Sequence, residues 1–392
     1  MTESISHIRR FHAELTAIRR DLHAHPELAF TEQRTADIVA ERLAGWGIEV
    51  HRGLGKTGVV GVLKNGKGKR AVGLRADMDC LPIEEANSFD YKSRHPGRMH
   101  ACGHDGHTTM LLGAARYLAE TRKFDGTVVL IFQPAEEGGG GGQVMVQEGL
   151  FERFPADEVY ALHNWPFMPP GKIAVRPGPM MAATDEIQIT IQGRGGHAAV
   201  PQLVIDPVVA AAQVISALQT IASRNVNPLD AVVVSICSMQ TSQLGAFNVV
   251  PESVRMIGTV RSFRPETRDL AERKVRLIAA KTAEALGATA EVQYARGYPA
   301  TVNSEREARF AAAVGERVFG KGNVITDAEP TMGGEDFSYM LQARPGAYVW
   351  LGQGGGPGGC FLHNPGFDFN DEVIPLGAGY LAALAEEAMP QR

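Results

Sequence analysis

The stretch TVVLIFQPAEEGGGGG, residues 127–142, joins an apolar run typical of a buried strand to two carboxylates and a run of glycines. Similar apolar runs occur at 59–65, 71–77 and 158–163. Segments with helical spacing separate several of these runs, and strands that alternate with helices are usually buried on both faces of a parallel sheet. The pattern therefore predicts an α/β fold with a mostly parallel sheet.

The helices are predicted from the spacing of apolar residues. Near the N-terminus, Ile8, Leu15 and Leu22 recur at helical intervals. Further helices are expected over 31–44 and from about 108 to 121.

The pattern changes near Asp185, where DEIQITIQG alternates apolar and polar residues, as in a sheet with one solvated face. A helix follows, with Asp206 as its N-cap and Pro207 in its first turn. Two strands, a helix and a last strand complete the order of a ferredoxin-like α+β unit.

The chain has 392 residues, more than one hydrophobic core usually organises, so two domains are expected. We predict a satellite domain at 185–295 that interrupts a catalytic domain made of 1–184 and 296–392.

Composition excludes several classes of protein. The net charge of −5 argues against a nucleic-acid partner, and the sequence has no apolar run long enough to span a membrane. The polar N-terminus lacks the apolar core of a secretory signal. The four cysteines are far apart in sequence, which argues against a disulfide scaffold. We therefore expect a reduced, cytoplasmic enzyme without a membrane partner.

One familiar motif lacks the structural context that its usual function requires. GLGKTG, residues 53–58, fits a dinucleotide fingerprint but is followed by a strand, whereas such a site needs a helix N-terminus. We interpret it as a turn between two strands, which disfavours a nicotinamide-dependent oxidoreductase.

A second stretch points to a metal. MHACGHDGH, residues 99–107, combines a thiol, three imidazoles and a carboxylate in one short segment before a predicted helix. Cys102 and His104 are spaced so that both can reach one ion, and thiolate, imidazole and carboxylate are zinc-type ligands. A polar loop satisfied by its own backbone is the alternative.

Further donors follow other strands. Glu136 and Glu137 lie at the carboxyl end of the strand at 127–133, where α/β sheets place ligands. Another strand ends at His163, and His363 lies in a glycine-rich loop. Asp77 and Asp79 follow the strand at 71–77, so these groups are expected to converge on one sheet edge.

The motifs MHACGHDGH, RADMDCLP, QPAEEGGGG, YALHNWP, GRGGHAA and MGGEDFSYM, in this order, resemble the M20 metallopeptidase family. The most similar branch is that of the amidohydrolases, which includes hippurate hydrolase, N-acyl-amino-acid amidohydrolases and plant auxin-conjugate hydrolases. The resemblance covers nearly the whole chain.

The resemblance implies a site for two divalent metal ions, with manganese or zinc as the first expectation and cobalt or nickel as substitutes. Its implied ligands are Cys102, His104, Glu137, His163 and His363. Cys102 stands where many relatives have a bridging aspartate, which implies a bridging thiolate. Asp77 stands where those relatives have a ligating histidine, so its role is open, whereas Asp79 is implied to orient a ligand or the base.

The implied reaction is hydrolysis of N-acyl amino acids to a carboxylate and a free amino acid. Two divalent ions that share a water lower its pKa, and Glu136 would act as general base and then general acid. In the family, a histidine that matches His197 comes from the satellite domain of a second subunit, which implies a homodimer. Asn248 and Arg261 are candidates for holding a substrate carboxylate.

Four further residues of these motifs are assigned no step in the implied reaction. His100, Asp105 and His107 are expected to support the loop, and Glu335 lies in a motif that precedes His363. The alternatives are a dipeptidase or carboxypeptidase, an N-acetyl-diaminopimelate deacetylase, or an inactive relative that binds its ligand. The intact set of acids, imidazoles and thiol speaks against the inactive relative.

Overall fold

The structure is a computed structural model that describes residues 2–243, 245–355 and 359–391. Its helices are α1 (Glu3–Ile8), α2 (His12–Ala24), α3 (Gln33–Gly45), α4 (His104–Thr121), α5 (Gly141–Gln147), α6 (Leu150–Arg153), α7 (Pro207–Leu218), α8 (Pro265–Ala285), α9 (Glu305–Phe319), α10 (Phe337–Ala343) and α11 (Ile374–Ala388).

Its strands are β1 (Glu49–Leu54), β2 (Gly58–Asn65), β3 (Ala71–Asp77), β4 (Gly126–Gln133), β5 (Glu158–Pro166), β6 (Ile173–Ala174), β7 (Gly178–Met181), β8 (Ala183–Gln192), β9 (Gly196–His197), β10 (Val232–Thr241), β11 (Val249–Val250), β12 (Ser253–Ser262), β13 (Thr289–Arg296), β14 (Thr301–Asn303), β15 (Val324–Ile325) and β16 (Gly346–Gly354).

The chain forms two compact units. The first unit comprises Met1–Met180, Thr301–Glu329 and Asp336–Arg392, and the second unit comprises Met181–Ala300 and Pro330–Glu335. That these units are separate domains with boundaries at 185 and 295 stays a prediction.

The first unit contains an eight-stranded sheet in the order β1-β2-β4-β3-β5-β16-β6-β15. The four central strands β4, β3, β5 and β16 pair in parallel, whereas β1 and β2 are antiparallel additions at one end. The predicted mostly parallel α/β fold is confirmed. Because parallel strands share one carboxyl edge, the residues after β3 and β4 and at the end of β5 lie close together.

The core of the first unit explains this arrangement. Strand β3 is buried along its whole length, and Leu74 shares a core with Leu111 of α4 and Leu381 of α11. Burying side chains of this size contributes about 1.5–3 kcal/mol each. The carboxyl edge of the sheet is therefore held in place by a continuous apolar core.

Local structure at three places bears on the sequence predictions. GLGKTG forms the turn between the antiparallel strands β1 and β2, which confirms the interpretation of this motif. A short 3-10 segment, Arg9–Phe11, interrupts the predicted N-terminal helix. Helix α4 begins at His104, four residues earlier than expected, after Gly103 with a φ of 91°.

The second unit contains a four-stranded antiparallel sheet in the order β10-β12-β8-β13, with α7 and α8 between its strands in the chain. This is the order of a ferredoxin-like fold, and the alternation in β8 buries Ile187, Ile189 and Ile191. The Asp206 side chain accepts hydrogen bonds from the first turn of α7, as a capping residue should. The predicted α+β unit is confirmed.

Within the described ranges, the structure contains no helix with the length and apolar character needed to cross a membrane.

Candidate metal centre

The five candidate ligands come from four segments of the first unit. Cys102 and His104 lie at the start of α4, His163 lies near the end of β5, Glu137 follows β4, and His363 lies in the loop after β16. His363 has a φ of 64°, a left-handed conformation that is uncommon outside glycine and that is often found at functional sites.

The thiol of Cys102 is shared by two groups of metal-type donors. One group is Cys102, His104 and His163, and the other is Cys102, Glu137 and His363; within each group the donor atoms lie within 4.8 Å of one another. Cys102 Sγ lies 3.4 Å from His163 Nε2, and His363 Nε2 lies 3.2 Å from Glu137 Oε1. The five predicted ligands are thus brought together around one sulfur atom.

The two buried imidazoles have hydrogen bonds that prepare their Nε2 atoms as ligands. His163 donates its Nδ1 proton to the Asn164 carbonyl at 2.7 Å, and His104 Nδ1 lies 3.2 Å from the Asp79 carboxylate. His104 Nε2 is buried and, within the described ranges, has no hydrogen-bond partner. A ligating histidine generally donates its other ring proton in this way, so the donor set fits a metal ion.

The electrostatics of the group also call for a cation. Burial, together with Glu137 and Glu136, raises the pKa of the Cys102 thiol well above its usual value. Burial opposes a charged His104, but Asp77 and Asp79 outweigh burial and raise the pKa of His104 to about 10. Bound cations would offset this excess of negative charge and make the thiolate available as a ligand.

Asp79 holds the segment that carries both glutamates. Its carboxylate accepts backbone hydrogen bonds from Glu136 at 3.0 Å and Glu137 at 2.9 Å, in addition to its contact with His104. Glu136 is buried, and its Oε2 lies 4.0 Å from His104 Nε2. Asp79 therefore orients one candidate ligand and the backbone of the candidate base at the same time.

Asp77 lies behind the donor groups and is engaged by other side chains. Arg75 donates to its Oδ2 at 2.7 Å, and His107 Nδ1 lies 2.6 Å from its Oδ1. Burial opposes ionisation, but His104, Arg75 and His107 hold the pKa of Asp77 well below its usual range. Asp77 is thus a buried carboxylate that fixes His107, with its Oδ2 3.8 Å from His104 Nε2.

The remaining residues of the MHACGHDGH segment differ in their contacts. Asp105 accepts from the Gly106 backbone at 2.9 Å and lies 2.8 Å from His23 Nδ1. His100 is buried, and neither ring nitrogen has a hydrogen-bond partner in the parts of the chain that the structure describes. Burial lowers the pKa of His100 to about 4, so it is a neutral packing residue.

The candidate substrate residues belong to the second unit. His197 on β9 pairs with Val249 on β11, and Asn248 accepts a backbone hydrogen bond from Ala198 at 3.0 Å, so His197 and Asn248 are neighbours. Arg261 lies on β12, donates to Thr259 at 3.0 Å, and is half-buried. Glu335 is buried in the same unit.

Two supporting residues were not singled out by the sequence. Asn164 fixes the ring of His163 through its carbonyl, and its side-chain oxygen lies 2.6 Å from His107 Nε2. Arg75 joins Asp77 to Asp336 and Gln133. The signal for Arg75 was present, since a charged residue inside an apolar strand needs a buried partner.

Comparison with known proteins supports the assignment of the whole chain. Residues 73–387 match the model of peptidase family M20/M25/M40. The chain is 42% identical to hippurate hydrolase of Campylobacter jejuni over 95% of this chain and 96% of that protein. It is 38% identical to N-acetylcysteine deacetylase of Bacillus subtilis over 96% and 97% of the two chains.

A solved structure agrees with this. A dinuclear metal-binding peptidase of the M20 family from Bacillus subtilis superposes with a TM-score of 0.84 at 34% identity, covering 97% of this chain and 99% of that one. The resemblance drawn from the motifs is thereby confirmed. The chain belongs to peptidase family M20/M25/M40 and is a metal-dependent amidohydrolase of that family.

Proposed function

We propose that the protein hydrolyses the amide bond of N-acyl amino acids and releases a carboxylate and a free amino acid. The observation that carries this proposal is the Cys102 thiol, which belongs to two donor groups at once. One thiolate common to two groups is what a bridging ligand between two divalent ions requires. We propose manganese or zinc as the native metal, with cobalt or nickel as substitutes, because the set combines thiolate, imidazole and carboxylate.

The ligand roles follow from the two groups. His104 and His163 would hold one ion, Glu137 and His363 the other, and Cys102 both. When bound, such ions supply Lewis acidity, which lowers the pKa of a water and polarises the amide carbonyl. Asp79 keeps His104 and the Glu136 backbone in place throughout.

Glu136 is the proposed general acid and base. Its carboxylate accepts the proton of the water whose oxygen attacks the carbonyl carbon, and it returns that proton to the nitrogen as the C–N bond breaks. The oxyanion that forms needs a hydrogen-bond donor. We propose His197 of a second subunit for this role, with Asn248 and Arg261 holding the substrate carboxylate, as the family resemblance implies.

The native form would then be a homodimer that acts on a small-molecule substrate. We also propose a cytoplasmic location, because the Cys102 thiolate would have to stay reduced to act as a metal ligand.

Metal removal tests the proposal. We expect the protein supplied with manganese to release amine from hippurate or from N-acetyl amino acids, and a chelator to abolish this release. Re-addition of the metal should restore it. Absence of turnover across a broad acyl panel despite two bound ions would instead favour an inactive, ligand-binding relative.

Aromatic side chains two residues from candidate ligands in the sequence support an aromatic acyl group. Trp165 lies two residues after His163 on β5, and its ring stacks on Trp350 with centroids 4.0 Å apart. Phe361, two residues before His363, contacts Trp165 edge-on at 5.7 Å and stacks on Phe167 at 6.0 Å. We call Trp165, Phe167, Trp350 and Phe361 the aromatic shelf. Phe167 and Phe361 are exposed, so the shelf is open to a ligand.

Replacing Phe361 by alanine should therefore raise the KM for hippurate more than the KM for N-acetylglycine. An aromatic pair contributes about 0.5–1.5 kcal/mol beyond burial, which corresponds to roughly 3- to 10-fold in KM for the benzoyl substrate. We expect less than about a twofold change for the acetyl substrate, which has no ring to stack. Steady-state kinetics on both substrates check this, and an equal change in both KM values would contradict a role for the shelf in acyl recognition.

A further inference from the structure

Glu32, outside the ligand set, contacts the segment that carries both site glutamates. It precedes α3 and is fully buried. Its Oε1 accepts hydrogen bonds from the Phe30 backbone at 3.0 Å and from the Ala135 backbone at 2.8 Å, and its Oε2 accepts from the Thr57 hydroxyl at 2.5 Å. One carboxylate thus joins the start of α3, the turn between β1 and β2, and the segment after β4.

The segment after β4 has a conformation that needs support. Ala135 has a φ of 56°, which costs an alanine roughly 1–2 kcal/mol relative to the right-handed region. Ala135 is followed at once by Glu136 and Glu137. A non-glycine residue held in this region persists where the surrounding structure fixes it, and such residues occur often at functional sites.

Three consecutive backbone N–H groups of this segment point at two buried carboxylates. The Ala135 N–H is bound by Glu32, and the Glu136 and Glu137 N–H groups are bound by Asp79. Successive N–H groups around a left-handed residue form a concave anion site, so each carboxylate stabilises the same turn. Asp79 also contacts His104, whereas the other hydrogen bonds of the Glu32 carboxylate come from the Phe30 backbone and the Thr57 hydroxyl.

Burying the Glu32 carboxylate away from water costs free energy, which indicates that the residue has a specific role. Burial raises the pKa of Glu32, and its hydrogen bonds to Thr57 and to the backbone counter this rise in part. Its three hydrogen-bond donors named above are two backbone amides and a hydroxyl, all neutral groups. An apolar residue of the same size would avoid the desolvation but would leave the Ala135 N–H without its acceptor.

We propose that Glu32 is a positioning residue for Glu136: its hydrogen bond to Ala135 fixes the turn that places the general base. The proposal rests on the proposed function, since turnover is its readout. A shift of about 1 Å in a catalytic group can cost on the order of 10²-fold in rate, so loss of this bond should lower kcat.

The test compares two replacements of nearly equal shape. Glu32→Gln keeps an acceptor for Ala135 and Phe30, and its amide can donate to the Thr57 hydroxyl; Glu32→Met keeps the volume but none of these bonds. We expect kcat within about threefold of wild type for Glu32→Gln and roughly 30- to 100-fold lower for Glu32→Met. Both variants should retain two metal ions per chain, with KM changed less than about threefold.

Glu27 supplies the matched control. It accepts backbone hydrogen bonds from Arg34 at 3.0 Å and Thr35 at 2.8 Å at the start of the same helix, α3, without any bond to the turn at Ala135. Glu27→Ala should lower the melting temperature and leave the kcat of folded protein unchanged. Circular dichroism, metal analysis and steady-state kinetics are measured for all three variants.

Several outcomes would overturn the proposal. Glu32 does not act through Glu136 if Glu32→Met has the kcat of the wild type. The same conclusion holds if Glu27→Ala loses as much kcat as Glu32→Met, or if Glu32→Met loses metal. If Glu32→Met does not fold, the test rests on Glu32→Gln. A kcat of Glu32→Gln more than about tenfold below that of the wild type would contradict the proposal, because this variant keeps an acceptor for the Ala135 N–H. Failure of the proposed function is distinguishable, since the wild-type protein would then release no amine.

Discussion

Replacing Glu136 by glutamine is expected to leave both metal ions bound and to reduce turnover by about 10²–10⁴-fold, the usual contribution of a general acid or base. Glutamine has nearly the same shape, so the backbone bond from Glu136 to Asp79 should survive. The amide cannot accept and return a proton at neutral pH, so proton transfer in the reaction is lost while substrate binding is kept. We therefore expect kcat to fall with little change in KM.

Its neighbour provides the matched comparison. Glu137 belongs to a donor group with Cys102 and His363, whereas neither of the two groups that contain Cys102 includes Glu136, so Glu137→Gln should lose metal as well as activity. Metal analysis of the two variants after dialysis, together with kinetics, separates the roles. If Glu136→Gln lost metal and Glu137→Gln kept it, the assignment of base and ligand would have to be exchanged.

The ligand candidates could be recognised in the sequence because their chemistry is rare and their positions follow strands. Glu136 and Glu137 come after β4, and His163 lies near the end of β5, so the parallel arrangement places them at one edge. Strand identity depends on local apolar pattern, which a sequence displays directly. The convergence of these side chains on one edge of the sheet could therefore be predicted from the strands and the residue types that follow them.

Contacts between segments that are distant in the chain could not be predicted from the sequence in the same way. Glu32 stands at the start of a helix, where an acid is common because it interacts favourably with the helix dipole. Its partners Thr57 and Ala135 are 25 and 103 residues away in the chain, and no periodic pattern links them. Likewise, the start of α4 at His104 was missed because its first turn is polar, whereas the structure buries it against the site.

Asp77 departs from the family pattern, and its contacts in the structure indicate its role. The sequence leaves its role open, because the resemblance to the M20 family implies a ligating histidine at this position in many of its members. Arg75 and His107 engage its two oxygens at 2.7 and 2.6 Å, and His107 in turn contacts Asn164 beside His163. A carboxylate engaged on both oxygens is suited to fixing its neighbours, and this information lies in contacts that span β3, α4 and β5.

The sulfur of Cys102 is shared by the two donor groups described above. Cys102→Ser should lose most bound metal on dialysis and, with it, most activity. The hydroxyl that replaces the thiol is much less acidic than a thiol and is a poorer anionic ligand, so the ligand common to both groups would be weakened. Loss of a single terminal ligand would affect one ion, whereas loss of this one should lower the content of both.

Cys80 is the control for burial, because its thiol is buried like that of Cys102 but belongs to none of the donor groups found among the described residues. Cys80→Ser should cost some stability, since it replaces a buried thiol by a more polar hydroxyl, while two ions per chain remain. Elemental analysis of both variants at matched protein concentration is the measurement. Full metal content in Cys102→Ser would remove this residue from the ligand set, and the two donor groups would then have no common atom to hold a pair of ions together.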